Sequence, residues 1–315
     1  MKKVYFIDVV HKVLKEELSK NGYFCEELSK EPLNEVRSKI KDAFGLVIRS
    51  RFTLNSGLLK NAPGLNFIAR SGSGLENIDL DYCKKRNIKV YNSPEGNKEA
   101  VADHCLGFLL SLLNKFKNAQ KEIGAGKWRR EENRGLELEK QIVGIIGFGH
   151  NGSAFAKKLE KLGVRTLIYD KYKSGFSKGN LKESNLSEIY KECTVISFHV
   201  PLTEETRYMA DYQFFKSFVN PVFVLNISRG KVVNTRGLFR ALNEGLILGA
   251  GLDVLEEESS DFDLKESKEV IHELNELPNV ILTPHVAGWT KESYYKLSKV
   301  LADKILNKKA LFRGL

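Results

Sequence analysis

The sequence predicts an α/β protein of two doubly wound parallel-sheet domains. Three observations carry that expectation. Short β-branched apolar runs alternate with amphipathic helical stretches, the pattern of parallel strands joined by crossover helices. One run, 142–146, enters a turn with glycines at 147, 149 and 152 and then a helical stretch with Ala154, Phe155, Ala156, Leu159 and Leu162 on one face, which is the order strand, G-x-G-x-x-G, helix. At 315 residues the chain is long enough for two domains with ample cores.

Each element has its own warrant. Lys3–Asp8 reads as a first strand, because its apolar run is too short for an export signal and Asp8 interrupts it. His11–Lys20 reads as a helix ended by Asn21 and Gly22. Phe44–Arg49, Leu65–Arg70 and Ile88–Tyr91 read as strands, and Leu80–Arg86 as a helix. Glu99–Lys117 is expected to be one long helix with a broad apolar face, followed by a polar connection to Glu139. The second layer's strands are Ile142–Gly147, Val164–Tyr169, Thr194–Val200, Val222–Ser228, Leu248–Val254 and Val280–Thr283, with Pro201 and Pro284 at strand ends. A last helix, from Lys291 to Asn307, carries apolar residues that need a partner, and returning to the first layer supplies one. The expected domains are therefore 1–98 with 289–315, and 99–288.

Composition narrows the class. Hydrophobic content of 42% and charged content of 29% are ordinary for a soluble protein, and no apolar run reaches the length of a membrane span. Cys25, Cys83, Cys105 and Cys193 form no C-x-x-C pair, so reduced thiols in the cytoplasm are expected, with no metal site. A net charge of +10 suits either nucleic acid or small anions. The lysines are scattered rather than gathered in a tail or helix, so no nucleic-acid partner is expected.

The glycine turn carries the first chemistry. Gly147 permits the tight turn, Gly149 lets backbone approach a pyrophosphate, and Gly152 lets helix and strand pack closely. The helix N-terminus attracts the phosphates. Asp170 ends the next strand, where an acid has no evident packing role, and can accept hydrogen bonds from a ribose 2′-OH. A carboxylate there repels a 2′-phosphate, so NAD rather than NADP is expected, although Lys171 and Lys173 follow directly.

Three polar residues follow strand ends in the same layer, where ligands of open parallel sheets bind. Arg229 follows Val222–Ser228, Glu258 follows Gly251–Glu257, and His285 follows Val280–Pro284. Arginine holds a carboxylate or polarises a carbonyl. Histidine can take a hydroxyl proton as hydride leaves the same carbon. A paired glutamate would orient that histidine and favour its protonated form. Singly, each of the three also has an ordinary structural reading.

Together the motifs resemble the D-isomer-specific 2-hydroxyacid dehydrogenase family, over nearly the full chain. Asn226–Gly230 is similar to its arginine motif, Gly251–Glu258 to its glutamate motif, and Thr283–Gly288 to its histidine motif. Ala69–Asp79 is similar to its substrate-carboxylate loop, Asn92–Asp103 to its interdomain segment, and Gly126–Trp128 to a further marker. The resemblance implies a Rossmann NAD-binding domain and a flavodoxin-like substrate domain, closing across hinges near 98 and 289. It implies that Arg229, Glu258 and His285 are catalytic. NAD would meet Ser73, Gly147, Gly149, His150, Asn151, Gly152, Asp170, Val200, Ile227, Asp253, His285 and Gly288. Substrate would meet Arg49, Arg51, Arg70, Ser71, Gly72, Ser73, Arg229 and His285. Ser259 stands where the family commonly has proline, so Glu256 and Glu257 stay open beside Glu258.

Within the family the likeness is greatest to the branch acting on 3-phosphoglycerate in serine biosynthesis, because Arg49-Ser-Arg51 resembles its basic loop. Those arginines could equally brace a domain interface. Glyoxylate, hydroxypyruvate or D-lactate reduction is the alternative chemistry, and an NAD-sensing corepressor-like protein the alternative class. The family also implies a homodimer built on the long helix and the connection after it.

Overall fold

In the computed structural model, residues 1–256 and 268–308 are described. The chain divides into two compact units, Met1–Asn97 with the chain from Trp289 onward, and Lys98–Gly288.

The first unit holds five parallel strands: β1 (Lys2–Phe6), β2 (Tyr23–Glu27), β3 (Ala43–Ile48), β4 (Phe67–Arg70) and β5 (Lys89–Asn92), in the order β2-β1-β3-β4-β5. This is the flavodoxin-like order, which reverses between β1 and β3. Both faces are covered, as parallel sheets require. Tyr5, Leu46, Ile48 and Ile68 pack to one side. Val4, Phe6, Val47 and Phe67 pack to the other, against helix Val13–Lys20 and the returning helix Lys291–Ile305 through Leu14, Leu18, Leu301 and Ile305. Thr290 and Ser293 start the returning helix with a reciprocal capping box.

The second unit holds seven parallel strands: β6 (Ile142–Ile146), β7 (Arg165–Tyr169), β8 (Leu181–Glu183), β9 (Val195–Phe198), β10 (Val222–Asn226), β11 (Ile247–Leu252) and β12 (Val280–Leu282). Their order is β12-β11-β10-β9-β6-β7-β8, the Rossmann order extended by one strand. The order reverses between β6 and β9. Loops leaving these two neighbours diverge there, opening the crevice in which such sheets bind ligands.

Three elements differ from expectation. β2 was not foreseen: it is an edge strand whose residues are all partly or fully exposed, so it lacks the apolar run that marks a buried strand. The three-residue β8 is another edge strand with the same weak signature. The long helix after residue 98 is broken. It runs Lys98–Leu113, Lys115 takes a left-handed φ of 53°, and a second helix spans Phe116–Gly124. Lys117 helps hold this second helix. Its Nζ donates to the carbonyls of Leu277 (3.0 Å) and Val280 (2.8 Å) at the entry to β12, and to Asn275. Burial lowers its pKa from the usual value.

Candidate active site

In the second unit the glycine turn sits at the carboxyl end of β6, on the side where the order reverses. Gly147 has φ +96°, and a Cβ on it would lie 2.7 Å from the His199 carbonyl oxygen. A Cβ on Gly152 would lie 2.0 Å from the Gly147 oxygen, whereas one on Gly149 would meet nothing within 4 Å. The turn is thus tight on its protein side and open at Gly149. Helix His150–Lys161 begins there with no side-chain cap and no acid in its first turn, so its N-terminal field is not neutralised from within. Asn151 Oδ1 is buried without a hydrogen-bond partner. These features fit a dinucleotide pyrophosphate. Gly152→Ala should abolish dinucleotide binding, measured by calorimetric titration, whereas Gly149→Ala should still fold, as judged by its melting temperature.

Asp170 lies at the end of β7, and its surroundings correct the expectation that an acid has no packing role there. Its Oδ2 accepts the Phe148 N–H at 2.7 Å, and Oδ1 accepts the N–H groups of Tyr172 (2.9 Å) and Lys173 (3.0 Å). The carboxylate therefore shapes the glycine turn itself. Neither following lysine is idle. Lys173 Nζ donates to the Phe148 carbonyl at 2.8 Å, and Lys171 pairs with Glu205. Val200 lies beside Gly147, and Ile227 is buried behind β10.

The histidine loop hangs from one carboxylate. Asp253 is 1% exposed at the end of β11. Its Oδ1 accepts from the Thr283 hydroxyl (2.5 Å) and the Val286 N–H (2.8 Å), and its Oδ2 accepts the Ala287 N–H (2.7 Å). Its own carbonyl accepts the His285 N–H at 2.8 Å. His285 has φ +54°, a left-handed conformation that costs a histidine of order 1–3 kcal/mol and persists only where its surroundings hold it. Asp253, expected as a cofactor contact, is placed here as the hub that presents His285. His104, on helix Lys98–Leu113, extends the network: its Nε2 lies 3.0 Å from Thr283 Oγ1. Thr283 spends its single proton on Asp253, so Nε2–H must be the donor to Thr283.

Arg229 follows β10 with an extended backbone, and its Nη1 donates to the Ser228 carbonyl at 2.6 Å. Gly230 permits the approach of the next loop: a Cβ there would lie 1.7 Å from the Leu255 oxygen. The arginine loop and the start of the glutamate loop are therefore in contact. Glu258, with Glu257, lies outside the described residues. Glu256 is committed elsewhere, accepting the Thr235 N–H, at the start of helix Thr235–Asn243.

In the first unit the loops leaving β1 and β3 meet at the corresponding reversal. Asp8 is buried, and its Oδ2 accepts the backbone N–H groups of Arg49 and, at 3.2 Å, Arg51. The two side chains then part. Arg51 stacks on Phe52 (4.5 Å to the ring centroid), and its Nη1 reaches the carbonyls of Ile7 (3.4 Å) and Leu28 (3.3 Å). Arg49 lies over the Trp289 indole at 3.9 Å. Burial lowers its pKa from the usual value, opposed by Asp8 and Tyr294. Arg70 packs its guanidinium against Gly72, whose missing side chain leaves room for it. Ser71 Oγ is buried without a partner, and Ser73 Oγ donates to Asn97 Oδ1 at 2.9 Å.

Sequence reasoning passed over three residues near these features. His199 follows β9 beside the glycine turn. Its Nε2 lies 2.8 Å from Ser197 Oγ, and burial pushes its pKa down to about 3, so it is neutral at neutral pH. A histidine before Pro201 at a strand end was the available signal. His104 was hidden on a helix face. Trp289 stood directly after the histidine motif.

Comparison with known proteins agrees with this geometry. Residues 106–287 match the family described as D-isomer specific 2-hydroxyacid dehydrogenase, NAD binding domain. The chain is 33% identical over 290 residues to a glyoxylate reductase of Pyrococcus furiosus, covering 89% of this chain and 84% of that protein. It is 30% identical over 292 residues to a D-3-phosphoglycerate dehydrogenase of Archaeoglobus fulgidus, covering 92% of this chain but 54% of that protein, so it spans about half that relative's length. Its fold matches the crystal structure of a D-lactate dehydrogenase from Aquifex aeolicus complexed with NAD and lactic acid. That match has a TM-score of 0.82 and 30% identity, over 98% of this chain and 96% of that one.

Proposed function

Because the chain belongs to the D-isomer specific 2-hydroxyacid dehydrogenase family, and is an NAD-dependent enzyme of that kind, we propose that its substrate is a short D-2-hydroxy acid with an anionic distal group. D-3-phosphoglycerate is the first candidate, and serine biosynthesis the setting it implies. The observation that carries this reading is Arg49. It is half-buried at the reversal of the first sheet, with its guanidinium paired to no carboxylate among the described residues. A cation partly withdrawn from water and only partly offset by the nearby Asp8 carboxylate is unfavourable, and an anionic group on the substrate lowers that penalty. Relatives named for 3-phosphoglycerate and for glyoxylate both resemble the chain at similar identity, which makes an unphosphorylated 2-oxo acid the second reading.

The glycine turn Gly147–Gly152 and Asp170 would hold NAD, which would supply the hydride acceptor for the carbon bearing the hydroxyl. His285 holds the proton that leaves that hydroxyl. Arg229 fixes the substrate carboxylate or carbonyl oxygen through its planar fork. The glutamate motif makes Glu258 the residue we assign as the partner of His285. The Asp253 hub keeps the His285 backbone in place, so little reorganisation of the loop is needed at the moment of reaction.

We also propose a cytoplasmic homodimer. Helix Phe116–Gly124 buries none of its residues, and Phe116, Ile123 and Trp128 leave an apolar face exposed that a second copy could cover. All four cysteines are unpaired, as suits a reducing compartment.

The substrate reading is tested by comparing kcat/KM for 3-phosphohydroxypyruvate and hydroxypyruvate, two acids that differ only in the phosphate. The wild type should favour the phosphorylated acid. Arg49→Ala should lower the ratio of the two values by roughly 10–100-fold, the loss of one charge-assisted pair of about 1.5–3 kcal/mol. Equal use of both acids by the wild type would overturn the reading.

A further inference from the structure

We infer that Trp289 is a specificity-determining residue that positions Arg49 for the distal anionic group of the substrate. The inference rests on the substrate reading above and adds a residue to it. Trp289 is the first residue after the histidine motif, and the residue is 62% exposed. A large exposed indole there contributes little to a core. What it does contact is the Arg49 guanidinium, 3.9 Å from its ring centroid.

That contact has a directional consequence. A guanidinium lying over an aromatic face has that face covered, while its N–H donors lie in its own plane and point outward. Arg49 is thereby offered edge-on, the presentation that bidentate recognition of a carboxylate or phosphate needs. The backbone is fixed from the other side, since Asp8 accepts the Arg49 N–H and the Arg49 carbonyl accepts from Asn77 Nδ2 at 3.1 Å. The long side chain would otherwise be the loose part of this arrangement. Holding it before binding lowers the entropy lost when the anion arrives. Among the neighbouring aromatic groups, the Trp289 ring is the one that lies over the Arg49 guanidinium. Tyr294 and Tyr295 pack edge-on against the His11 ring, at 5.4 and 5.1 Å. Arg51 is turned toward the carbonyls of Ile7 and Leu28. Arg49 and Trp289 therefore form a pair distinct from the second basic side chain of the same loop.

The test uses the full chain with the same two acids, reading the ratio of kcat/KM for 3-phosphohydroxypyruvate to that for hydroxypyruvate. Trp289→Ala should lower the ratio by roughly 5–10-fold, the scale of a partly desolvated cation–π contact. The loss should fall mainly on KM for the phosphorylated acid. Trp289→Phe, which keeps a weaker aromatic face, should lower the ratio less, and it carries the test if the alanine variant does not fold. In an Arg49→Lys background, where no planar cation remains, Trp289→Ala should change the ratio little further. If both variants fold and keep the wild-type ratio for the two acids, Trp289 is only structural and the inference fails while the substrate reading stands. If the wild type does not distinguish the two acids, the substrate reading fails and takes this inference with it.

Discussion

His285→Asn will bind NAD but turn over its substrate roughly 10²–10⁴-fold more slowly, the usual contribution of a positioned acid–base group. The residue follows β12 in a loop held by backbone bonds to Asp253. Asparagine also tolerates the left-handed backbone better than most residues, so the fold of the loop should survive. The features that fit a dinucleotide lie at the ends of β6 and β7, around Gly149, Asn151 and Asp170. Measuring kcat beside the NAD dissociation constant separates the two. Loss of NAD binding in step with kcat would mean that the substitution had disturbed the crevice instead of removing the proton carrier.

Asp253→Asn should be the second large effect, and it should act on both stability and rate. The carboxylate accepts three hydrogen bonds from Thr283, Val286 and Ala287 while almost wholly buried. An amide of the same shape presents N–H to at least one of those donors. Each donor left unpaired in the interior costs about 1–3 kcal/mol. The same bonds hold His285 in a conformation it would not otherwise keep, so the imidazole should lose its fixed position as well. Urea unfolding should show a loss of roughly 2–4 kcal/mol, with kcat reduced and NAD affinity reduced less. Unchanged kcat in a destabilised protein would show that the Asp253 hub is a packing device without a part in placing His285.

The architecture was legible wherever a strand is buried on both faces. β3, β6, β7, β9, β10 and β11 are largely apolar runs between turn residues, and the expected strands lie near their observed bounds. The edge strands β2 and β8 were not legible, because an edge needs no such run. The break at Lys115 was hidden by an apolar periodicity that continues from Leu113 to Phe116 across it. The glycine turn was readable because its spacing is a backbone requirement, and the structure gives the reason for Gly147 and Gly152 in close contacts. Side-chain duties within the loops were less so. The sequence shows an acid after a strand at both Asp170 and Asp253. It does not show that each carboxylate accepts hydrogen bonds from backbone amides that shape a loop. Nor could it separate Arg49 from Arg51, since their divergence depends on Trp289 and Phe52 packing against them from different parts of the fold.

The central claim is oxidation of a D-2-hydroxy acid at the expense of NAD, with preference for a phosphorylated one. Following NADH formation by the purified chain with D-3-phosphoglycerate, D-glycerate and D-lactate tests it most directly. Turnover is expected with D-isomers, fastest for D-3-phosphoglycerate and absent for the L-isomers. Turnover confined to unphosphorylated acids would contradict the role given to Arg49 and Trp289, and no turnover with any D-2-hydroxy acid would contradict the assignment of His285 as the proton carrier.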